Sequence, residues 1–496
     1  MKASSLKNTN LQVRQQSVKL DRVSLPSFSN LTNLGLLTIT LPFISLSSYA
    51  TLSTMTSQTI QGTAPYFVLN RMVLTSTDEI LGFSYKTTDG ETAFANAAQA
   101  SSTITVNAYM KENELVALVP ITGIEILLNS VLVADNSIDS KGLWIADDDG
   151  DALAGSTRAV GSITATLLKN SVAVAPADTA FDSCATYQLK IALPAVAAGV
   201  ISSIQAITNY GSPNYKYYNY TSSNQSATYT LASSMPTACY ALPYFSRGDG
   251  EYAGTSAEWE RYKGFKPQSR TIASKNFPTT GFDNAFFDLT LAGTTAQDLI
   301  DTNADKSGKV YGTGSSEVYL VLSATSKANV LRVRLRGPSS SSAPVNAYTA
   351  TTFKLKSGEI DVYSFTIDKW FFARKDVRGS YNDTVNPAIS YCSSFSNGTY
   401  RIPSFAEYIN STFALFNIVG SSSQNHYTRS IGQGLFAEWG ALSYSSTVYP
   451  DSDFENAMYW ANQPYDDRWQ IVVGSFNGSI SSAAVNSLVA TACVSP

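Results

Sequence analysis

The sequence predicts a mainly β protein in which β-sandwich modules precede a smaller α+β domain. Three observations lead to this fold class. Short stretches of alternating polar and apolar residues recur along the chain, and turn residues separate them. The composition favours strands, because 28 tyrosines and many Ser and Thr residues accompany only 15% charged residues. The best helix signal after the N-terminal segment lies near the C-terminus.

The strand pattern is clearest in the middle of the chain. Ser162–Leu167 and Tyr187–Leu193 alternate polar with apolar residues, which is typical of half-buried strands. Leu331–Arg336 alternates apolar residues with arginine, and Gly337–Pro338 then ends the strand. Val318–Leu322 is mostly apolar, which predicts a buried strand. No helical periodicity accompanies these strands, so we expect Ig-like β-sandwich modules.

A chain of 496 residues is long enough for two to four domains. We place one boundary near residue 160, before the strand at Ser162, and a firmer one between 375 and 390. The expected divisions are an exported leader at 1–50, a β-sandwich module at 51–160, one or more β-rich modules at 161–380 and the α+β domain at 381–496.

The α+β domain is predicted from a helix start followed by strands. Ser404 offers an N-cap, Glu407 completes a capping box, and apolar residues follow at helical spacing as far as Phe413. Trp469–Val473 and the segment around Cys493 then predict short strands. One helix followed by loops and strands indicates a module whose two ends lie close together.

The four cysteines, Cys184, Cys239, Cys392 and Cys493, form two distant groups without a CxxC pair. With one histidine in the chain, a zinc site is not expected. Of the three possible connectivities we choose the local one, Cys184–Cys239 and Cys392–Cys493, and four buried free thiols are the alternative. Each bridge closes a long loop, which contributes at most about 4–5 kcal/mol on the chain-entropy model.

The N-terminus has the pattern of an export signal. Residues 1–29 are polar and basic, and Leu34–Ile44 is apolar but too short to span a membrane stably. Ser45–Ala50 then supplies small residues at the positions that a signal peptidase reads. We expect cleavage after Ala50, and a buried strand at the start of the fold is the alternative. No later segment is apolar for long enough to predict a membrane span, so none is expected after cleavage.

The charge pattern argues against nucleic acid as a partner. The formal net charge is −4, and Lys and Arg form no block along the chain. A nucleic-acid binder needs a basic patch to neutralise phosphates, so this class of partner is not expected.

Two acidic segments have oxygen-bearing side chains at Ca²⁺-like spacing. Asp147, Asp149 and Asp151 surround Gly150. Asp301–Ser307 also alternates oxygen-bearing residues, with lysine where glycine is expected. Acidic surface turns between strands are the alternative for both segments. Ca²⁺ at Asp147, Asp149 and Asp151 is therefore the one metal hypothesis that we retain, and no other cofactor is expected.

Several short motifs resemble a known family by their order along the chain. They are similar to the C-terminal region of intimin- and invasin-like adhesins of gammaproteobacteria, including the RatA/SinI type. The motifs that resemble this C-terminal region are Trp370–Phe372, Tyr391–Cys392, Tyr400–Ser404, Gly434–Gly440, Tyr459–Trp460 and Ala492–Pro496. Upstream, Trp144–Asp151, Gly264–Ser269, Asn276–Gly281 and Phe287–Leu289 resemble the preceding module. The resemblance covers most of residues 55–496 and implies a C-type-lectin-like fold for residues 381–496.

Residues 443–468, which are rich in Tyr, Ser and acidic residues, are the expected recognition loop of this domain. Sugar-binding C-type lectins hold Ca²⁺ with a Glu-Pro-Asn-like and a Trp-Asn-Asp motif. Trp460–Asn462 only faintly resembles the second, and the first is missing. The resemblance therefore implies the lectin-like fold without Ca²⁺-dependent sugar binding. The tyrosines and acidic residues of the loop favour binding of a ligand. Several of the aromatic residues should belong to the core. The predicted ligand-binding residues are Tyr444, Tyr449, Asp451, Asp453, Trp460, Asn462, Tyr465, Asp466 and Asp467.

No catalytic constellation emerges from the sequence. A Ser-His-Asp centre would have to use His426, which lies in a polar segment. A glycosidase needs only two carboxylates, but nothing singles out a pair. We therefore predict an adhesin-like binding protein, secreted or on the bacterial surface in association with the outer membrane, which binds a host glycan or surface protein. An extracellular carbohydrate-active enzyme and a structural subunit of a surface layer or pilus are the alternatives.

Overall fold

The computed structural model describes most of the chain after residue 65. The predicted leader at 1–50 lies outside the described residues. All described residues belong to one compact unit, residues 58–496. The described ranges are 66–69, 72–74, 77–117, 124–133, 143–147, 152–153, 162–193, 203–207, 215–219, 226–244, 248–411, 425–442 and 449–495.

The N-terminal part consists of short strands and one short helix within its described ranges. In chain order these are β1 (Tyr66–Leu69), β2 (Met72–Leu74), α1 (Thr77–Ile80), β3 (Phe83–Lys86), β4 (Thr92–Ala95), β5 (Thr103–Val106), β6 (Val116–Ala117), β7 (Ile124–Val133), β8 (Leu143–Asp147), β9 (Ala152–Leu153), β10 (Ser162–Lys169), β11 (Val172–Val174), β12 (Tyr187–Ala192), β13 (Ser203–Ile207), β14 (Tyr215–Asn219) and β15 (Ser226–Ser233).

The remaining elements are again mostly strands. They are β16 (Thr237–Pro243), β17 (Trp259–Glu260), β18 (Gly264–Phe265), β19 (Thr280–Phe282), β20 (Phe286–Ala292), α2 (Ala296–Asn303), β21 (Lys309–Tyr311), β22 (Tyr319–Ala324), β23 (Val330–Arg336), β24 (Thr351–Ser357), β25 (Ile360–Ile367), β26 (Lys369–Gly379), α3 (Ala388–Ser393), α4 (Phe405–Tyr408), α5 (Leu435–Trp439), β27 (Met458–Pro464), β28 (Trp469–Gly474), β29 (Ile480–Ala484) and β30 (Val489–Val494). Single 3₁₀ turns lie at Ala97–Gln99, Glu112–Glu114, Gly250–Tyr252, Ala273–Lys275 and Ser396–Gly398.

The largest sheet of the N-terminal part continues across residue 160. Its order is β2-β1-β8-β7-β10-β12-β15-β5, and β11 pairs with β10 at the side. Strand β10 pairs with β7, which precedes residue 160, and with β12, which follows it. The orders β4-β3-β6 and β14-β13-β9 describe two smaller sheets of this part.

The central sheet has the order β17-β18-β16-β20-β23-β22-β21, and the hairpin β24–β25 accompanies it. In β23 the residues Leu331, Val333 and Leu335 are buried while the intervening arginines are half-buried, as the alternation predicts. Strand β22 also alternates, with Leu320 and Leu322 inside. The prediction that β22 is buried on both faces is therefore wrong, because Tyr319 and Val321 on its other face are only half-buried.

The C-terminal sheet combines the end of the chain with two earlier strands. Its order is β19-β26-β30-β27-β28-β29. Strand β26 pairs along β30, and β19 lies parallel to β26. Helices α3, α4 and α5 lie between these strands in sequence. The mainly β class predicted from the sequence is confirmed. Among the described helices, none has both the length and the apolar composition that a membrane crossing needs.

Within the described residues, the buried apolar side chains form two clusters. One extends from Ile80 to Leu231. The other extends from Ala238 to Val494, and it includes Phe287 and Leu331 of the central sheet together with Val494 at the end of the chain. The central sheet and the C-terminal sheet therefore share one hydrophobic core.

Two buried charged groups connect segments that lie far apart in sequence. Arg429 and Glu438 are both fully buried. The Glu438 carboxylate accepts hydrogen bonds from the main-chain N–H groups of Thr279, Thr280 and Gly432 and from both threonine hydroxyls. Burial raises the pKa of Glu438, and these hydrogen bonds counteract part of the rise.

The Arg429 guanidinium donates to the Glu438 carbonyl oxygen at 2.7 Å and lies 4.9 Å above the Trp259 ring centre. Burial lowers the pKa of Arg429. Because its cation sits between segments around 259 and 438, it links the central sheet to the C-terminal part of the chain.

Both predicted disulfides are confirmed. Cys184–Cys239 closes a separation of 55 residues and Cys392–Cys493 one of 101 residues. Cys392 and Cys493 are fully buried, whereas Cys184 is exposed. The first disulfide joins the loop before β12 to β16, so it links the two hydrophobic clusters covalently.

The predicted capping box is present, but its helix is short. The Ser404 hydroxyl accepts from the Glu407 N–H and the Glu407 carboxylate accepts from the Ser404 N–H. Helix α4 ends at Tyr408 because Ile409 is extended, with φ −147° and ψ 160°. The expected continuation beyond Tyr408 is wrong, because Tyr408 and Ile409 are buried against the chain at Gly434, where a side chain would clash.

Candidate functional site

The predicted aromatic ligand residues belong largely to the core. Tyr449 is buried, and its hydroxyl accepts a 3.0 Å hydrogen bond from the Tyr244 N–H. Trp460 is fully buried, and its indole N–H donates to the Gly379 carbonyl at 2.9 Å. Tyr444 lies outside the described residues. Tyr449 and Trp460 are therefore core residues, and their buried side chains are not accessible to a ligand.

Asp451 and Asp453 tie the C-terminal part to the central sheet. The Asn284 amide donates to the Asp451 carbonyl at 2.9 Å. The Asp453 carboxylate accepts from the Ser340 hydroxyl at 2.7 Å and from the Ser340 N–H. Asp453 thus lies next to the loop that follows β23, and Asp451 lies next to Asn284 in the turn between β19 and β20.

Tyr465, Asp466 and Asp467, three of the remaining predicted residues, form the tip of the β27–β28 hairpin. The Asp466 carboxylate accepts from the N–H groups of Arg468 and Trp469, at 2.7 and 2.8 Å. The Tyr465 N–H donates to the Trp469 carbonyl at 2.8 Å and closes the hairpin. Asp467 is exposed beside them. Asp466 therefore fixes the turn that presents the Trp469 side chain, 42% of which is exposed.

Asn462 precedes this tip on β27, and its N–H donates to the Pro403 carbonyl at 2.9 Å. Its exposed side chain borders a cavity of about 270 Å³ next to α3 and α4. The other residues that line this cavity are Tyr381, Ile389, Ser393, Gly398, Tyr400, Arg401 and Ile402. Asn462 is thus the predicted ligand residue that lies at a concave surface.

Exposed apolar side chains lie at this cavity, at the hairpin tip and on the segments bonded to them. We call them the apolar rim. Among the described residues after 380, the large hydrophobic side chains with the greatest exposure are Val385 (49%), Ile389 (44%), Trp469 (42%) and Leu488 (57%).

Main-chain hydrogen bonds connect the segments that carry the apolar rim. The Ile389 N–H donates to the Tyr381 carbonyl at 3.2 Å, and the Tyr381 N–H donates to the Val485 carbonyl at 2.9 Å. The Val485 N–H in turn donates to the Arg468 carbonyl at 2.9 Å. Segments around 381–389, 466–469 and 485–488 therefore lie side by side on one surface.

A three-membered ion cluster holds Arg401 at the wall of the cavity. The Arg401 guanidinium donates to both Glu407 oxygens at 2.7 Å, and the Lys369 ammonium lies 2.9 Å from the same carboxylate. Burial alone would raise the pKa of Glu407, but hydrogen bonds from Arg401, Lys369 and the Ser404 N–H outweigh it and lower the pKa to about 2. The cluster thus stabilises the ionised Glu407 that caps the start of α4.

His426 does not stand in a nucleophilic triad. Its Nδ1 atom lies 3.0 Å from the Tyr427 carbonyl, and its Nε2 atom lies 3.8 Å from the Glu251 carboxylate. The ring packs on Tyr252 at a centroid distance of 4.8 Å. These contacts give the histidine a packing position between the segments around 251 and 427.

Most residues of the first predicted Ca²⁺ site lie outside the described ranges. Asp147 ends strand β8, and Asp149 and Asp151 are outside the described ranges. Within the described ranges, no group of three or more acidic, cysteine or histidine side chains is arranged to hold a metal ion. At the second segment, the Asp305 carboxylate accepts from the Ser307 and Lys309 N–H groups and closes a turn.

The sequence did not single out the residues that make this surface apolar. Trp469 is exposed at the start of β28 while the rest of that strand is buried, and Trp460 on β27 is buried. The two tryptophans are alike in sequence, so only the pairing of the strands decides which one faces solvent. Ile389 lies in α3 and Val385 precedes this helix. No periodic pattern in this segment indicated an exposed surface.

Comparison with known proteins gives two solved structures. The crystal structure of invasin, described as a bacterial integrin-binding protein, matches with a TM-score of 0.31 and 13% identity, over 82% of this chain and 83% of that one. The crystal structure of an intimin mutant from EHEC O157:H7 matches with a TM-score of 0.23 and 16% identity, over 44% of this chain and 88% of that one. No protein-family model and no curated protein sequence matches the chain.

Proposed function

We propose that this protein is an adhesin-like binding protein of the bacterial surface, and that it binds a host surface protein through the apolar rim and the adjoining cavity. The observation that carries the proposal is the exposed Trp469 at a fixed hairpin tip, next to further exposed apolar side chains. The order of adhesin-like motifs along the chain is a second and independent support.

Exposed apolar side chains in one area favour association with another surface. Soluble proteins rarely leave such side chains together unless they serve an interaction, because their exposure to water is unfavourable. Tryptophan is enriched among the residues that dominate interface energies, and a central aromatic residue beside a cavity suits that role. A rigid tip also lowers the entropy lost on binding.

A protein partner suits the apolar rim better than a glycan does. Val385, Ile389 and Leu488 offer no hydrogen bonds to sugar hydroxyls, whereas they complement the apolar core of a protein interface. Asn462, Asp467 and Arg468 then supply a polar border around Trp469. A host glycan is the second partner class predicted from the sequence.

The location and the lectin-like fold belong to the same proposal. Export rests on the basic segment 1–29, the apolar stretch Leu34–Ile44 and the small residues before Ala50. The lectin-like fold of residues 381–496 rests on the ordered motifs, with support from the disulfide between Cys392 and Cys493 that joins the start and the end of this segment. Surface display in association with the outer membrane follows from the resemblance.

The test compares binding of full-chain variants to cultured host cells. We expect Trp469→Ala to weaken cell binding at least about tenfold, since loss of a central interface tryptophan typically costs about 2 kcal/mol or more. Tyr109→Ala is the matched control, because Tyr109 is an aromatic residue that is 67% exposed in the N-terminal part. Equal binding by Trp469→Ala, Tyr109→Ala and the unchanged chain would rule out the rim as the binding surface. Protease treatment of the cells should abolish the difference in binding between the unchanged chain and Trp469→Ala, and persistence of that difference would overturn the protein partner in favour of a glycan.

A further inference from the structure

A second concave surface lies on the central sheet, among residues that the proposed function does not use. It is a groove of about 460 Å³ between the β21–β22 hairpin and the loop 337–345. Its lining includes Lys309, Tyr311, Glu317, Tyr319, Arg336 and several serines. We call it the tyrosine groove.

Two tyrosines form an aromatic wall of the tyrosine groove. Tyr311 and Tyr319 are directly opposite each other on β21 and β22. Their ring centroids are 5.8 Å apart with an interplanar angle of 43°, and Tyr311 is 53% exposed. Exposed aromatic faces carry a negative quadrupole, which attracts the weakly positive C–H groups on the face of a sugar ring.

Among the described residues, Lys309 and Glu317 are the two charged side chains of the groove lining without a salt bridge, and their contacts differ. The Lys309 ammonium lies 4.4 Å from the Tyr319 ring centre and forms no salt bridge within the described part of the chain. The Glu317 carboxylate accepts from the N–H groups of Val345 and Asn346, at 3.1 and 3.3 Å. Asp305 uses its carboxylate to accept from the Lys309 N–H.

The remaining ion pair of the groove is directed inward. The Asp283 carboxylate accepts from the Arg336 Nε–H and from the Gly337 N–H, both at 3.0 Å. Burial raises the pKa of Asp283. The Arg336 side chain is still 39% exposed, so its outer N–H groups lie within reach of the groove. An anionic ligand group would therefore meet the Lys309 ammonium and the outer Arg336 N–H groups, while Asp283 pairs with Arg336 and the Glu317 carboxylate accepts two main-chain N–H groups.

Serine hydroxyls line the opposite wall on an ordered loop. The Ser339 and Ser341 hydroxyls lie 3.1 Å apart, and the Ser342 N–H donates to the Ser339 hydroxyl at 3.1 Å. Asp453 holds the loop from outside by accepting from the Ser340 hydroxyl at 2.7 Å. A loop fixed in this way offers preformed hydrogen-bonding groups and loses little entropy on binding.

We propose that the tyrosine groove binds an acidic saccharide, with a sugar ring on Tyr311, the acid group at Lys309 and the hydroxyls at the serine loop. This combination of an aromatic face, a cation and several hydroxyl groups fits a sugar acid better than a peptide, because the groove has no deep apolar pocket for a side chain. The site is separate from the apolar rim, so it adds a glycan ligand to a protein that also binds through its C-terminal part.

The test measures saccharide binding to the full chain by saturation-transfer difference NMR and calorimetry. The probes are 3′-sialyllactose and trigalacturonate as acidic sugars, with lactose as the neutral comparison. We expect at least one acidic probe to bind and lactose to bind at least tenfold more weakly. Tyr311→Ala should reduce acidic-probe affinity at least tenfold, and Lys309→Gln should remove most of the preference over lactose.

The controls separate this site from the apolar rim. Tyr109→Ala and Trp469→Ala should bind the acidic probes like the unchanged chain. Thermal unfolding checks that the exposed Tyr311→Ala and Lys309→Gln changes leave the fold intact. The proposal is overturned if neither acidic probe binds, if lactose binds equally well, or if binding is unchanged in Tyr311→Ala. Binding of an acidic peptide instead of the sugars would also overturn it.

Discussion

At the scale of single residues, this chain uses buried charge for structure. Glu438 accepts hydrogen bonds from two adjacent threonines, and Arg429 lies between Trp259 and the Glu438 carbonyl. Glu407 is held by Arg401 and Lys369 at the start of α4. Each group has the partners that make its burial tolerable, which is typical of structural ion clusters. None of them is positioned towards the cavity as a free acid or base.

Glu407→Gln tests the ion cluster through the pH dependence of stability. Glu407 has a pKa of about 2 in the folded protein against an ordinary value of 4.5. A lowered folded pKa stabilises the fold above the ordinary pKa, and the stabilisation disappears as the pH falls towards the folded pKa. We expect Glu407→Gln to lower the free energy of unfolding by on the order of 2–3 kcal/mol at pH 7, and by progressively less from pH 4.5 down to 2.

The measurement is urea unfolding of both proteins across this pH range. Glu359→Gln is the control, because Glu359 is exposed on the β24–β25 turn. A difference between Glu407→Gln and the unchanged chain that stays constant down to the lowest pH would contradict the role of the carboxylate charge.

At the scale of elements, local signals in the sequence predicted local structure well. The alternation of Leu331–Arg336 indicated the inward face of β23, and Ser404 with Glu407 indicated the start of α4. The end of α4 was missed, because burial of Ile409 against the segment at Gly434 depends on residues distant in sequence. The exposed position of Trp469 was missed for the same reason, since strand pairing determines it.

The two disulfides should differ in their reaction with reductant, because they differ in burial. Cys184 is exposed, whereas Cys392 and Cys493 are fully buried. A thiolate must reach a sulfur atom to exchange with it. We expect mild dithiothreitol treatment of the folded protein to cleave Cys184–Cys239 first, with Cys392–Cys493 protected until the C-terminal core opens.

Alkylation with iodoacetamide and peptide mass spectrometry measure the order of cleavage. Addition of urea should remove the difference between the two disulfides, which serves as the control. Equal cleavage of both in the folded protein would show that the C-terminal core is more accessible than its burial implies. Full reduction should also lower the melting temperature of the C-terminal core, since the Cys392–Cys493 bridge constrains a loop of about 100 residues in the unfolded chain.

At the scale of the whole molecule, the arrangement of the cores determines which parts fold together. The order of motifs predicted the succession of β modules, and it also placed the start of the last module near 381. The contribution of β19 and β26 to the C-terminal sheet was not predictable from sequence, because both strands precede that position and reach the sheet only through tertiary pairing. Contacts of Arg429 and Glu438 with residues 259–280 have the same origin.

These contacts predict the outcome of a truncation experiment. A fragment of residues 381–496 lacks β26, so β30 keeps only its short strand pairing with β27, and Phe371 and Phe372 leave the core. Glu438 then keeps a buried carboxylate without Thr279 and Thr280, which is strongly unfavourable. We expect this fragment to show no cooperative unfolding, whereas a fragment of residues 234–496 with its Cys392–Cys493 disulfide intact should unfold cooperatively in urea.

Near-ultraviolet circular dichroism, which reports packed aromatic side chains, distinguishes the two results. A cooperative transition in the shorter fragment would show instead that residues 381–496 fold independently, with β26 and the buried Glu438 contacts dispensable.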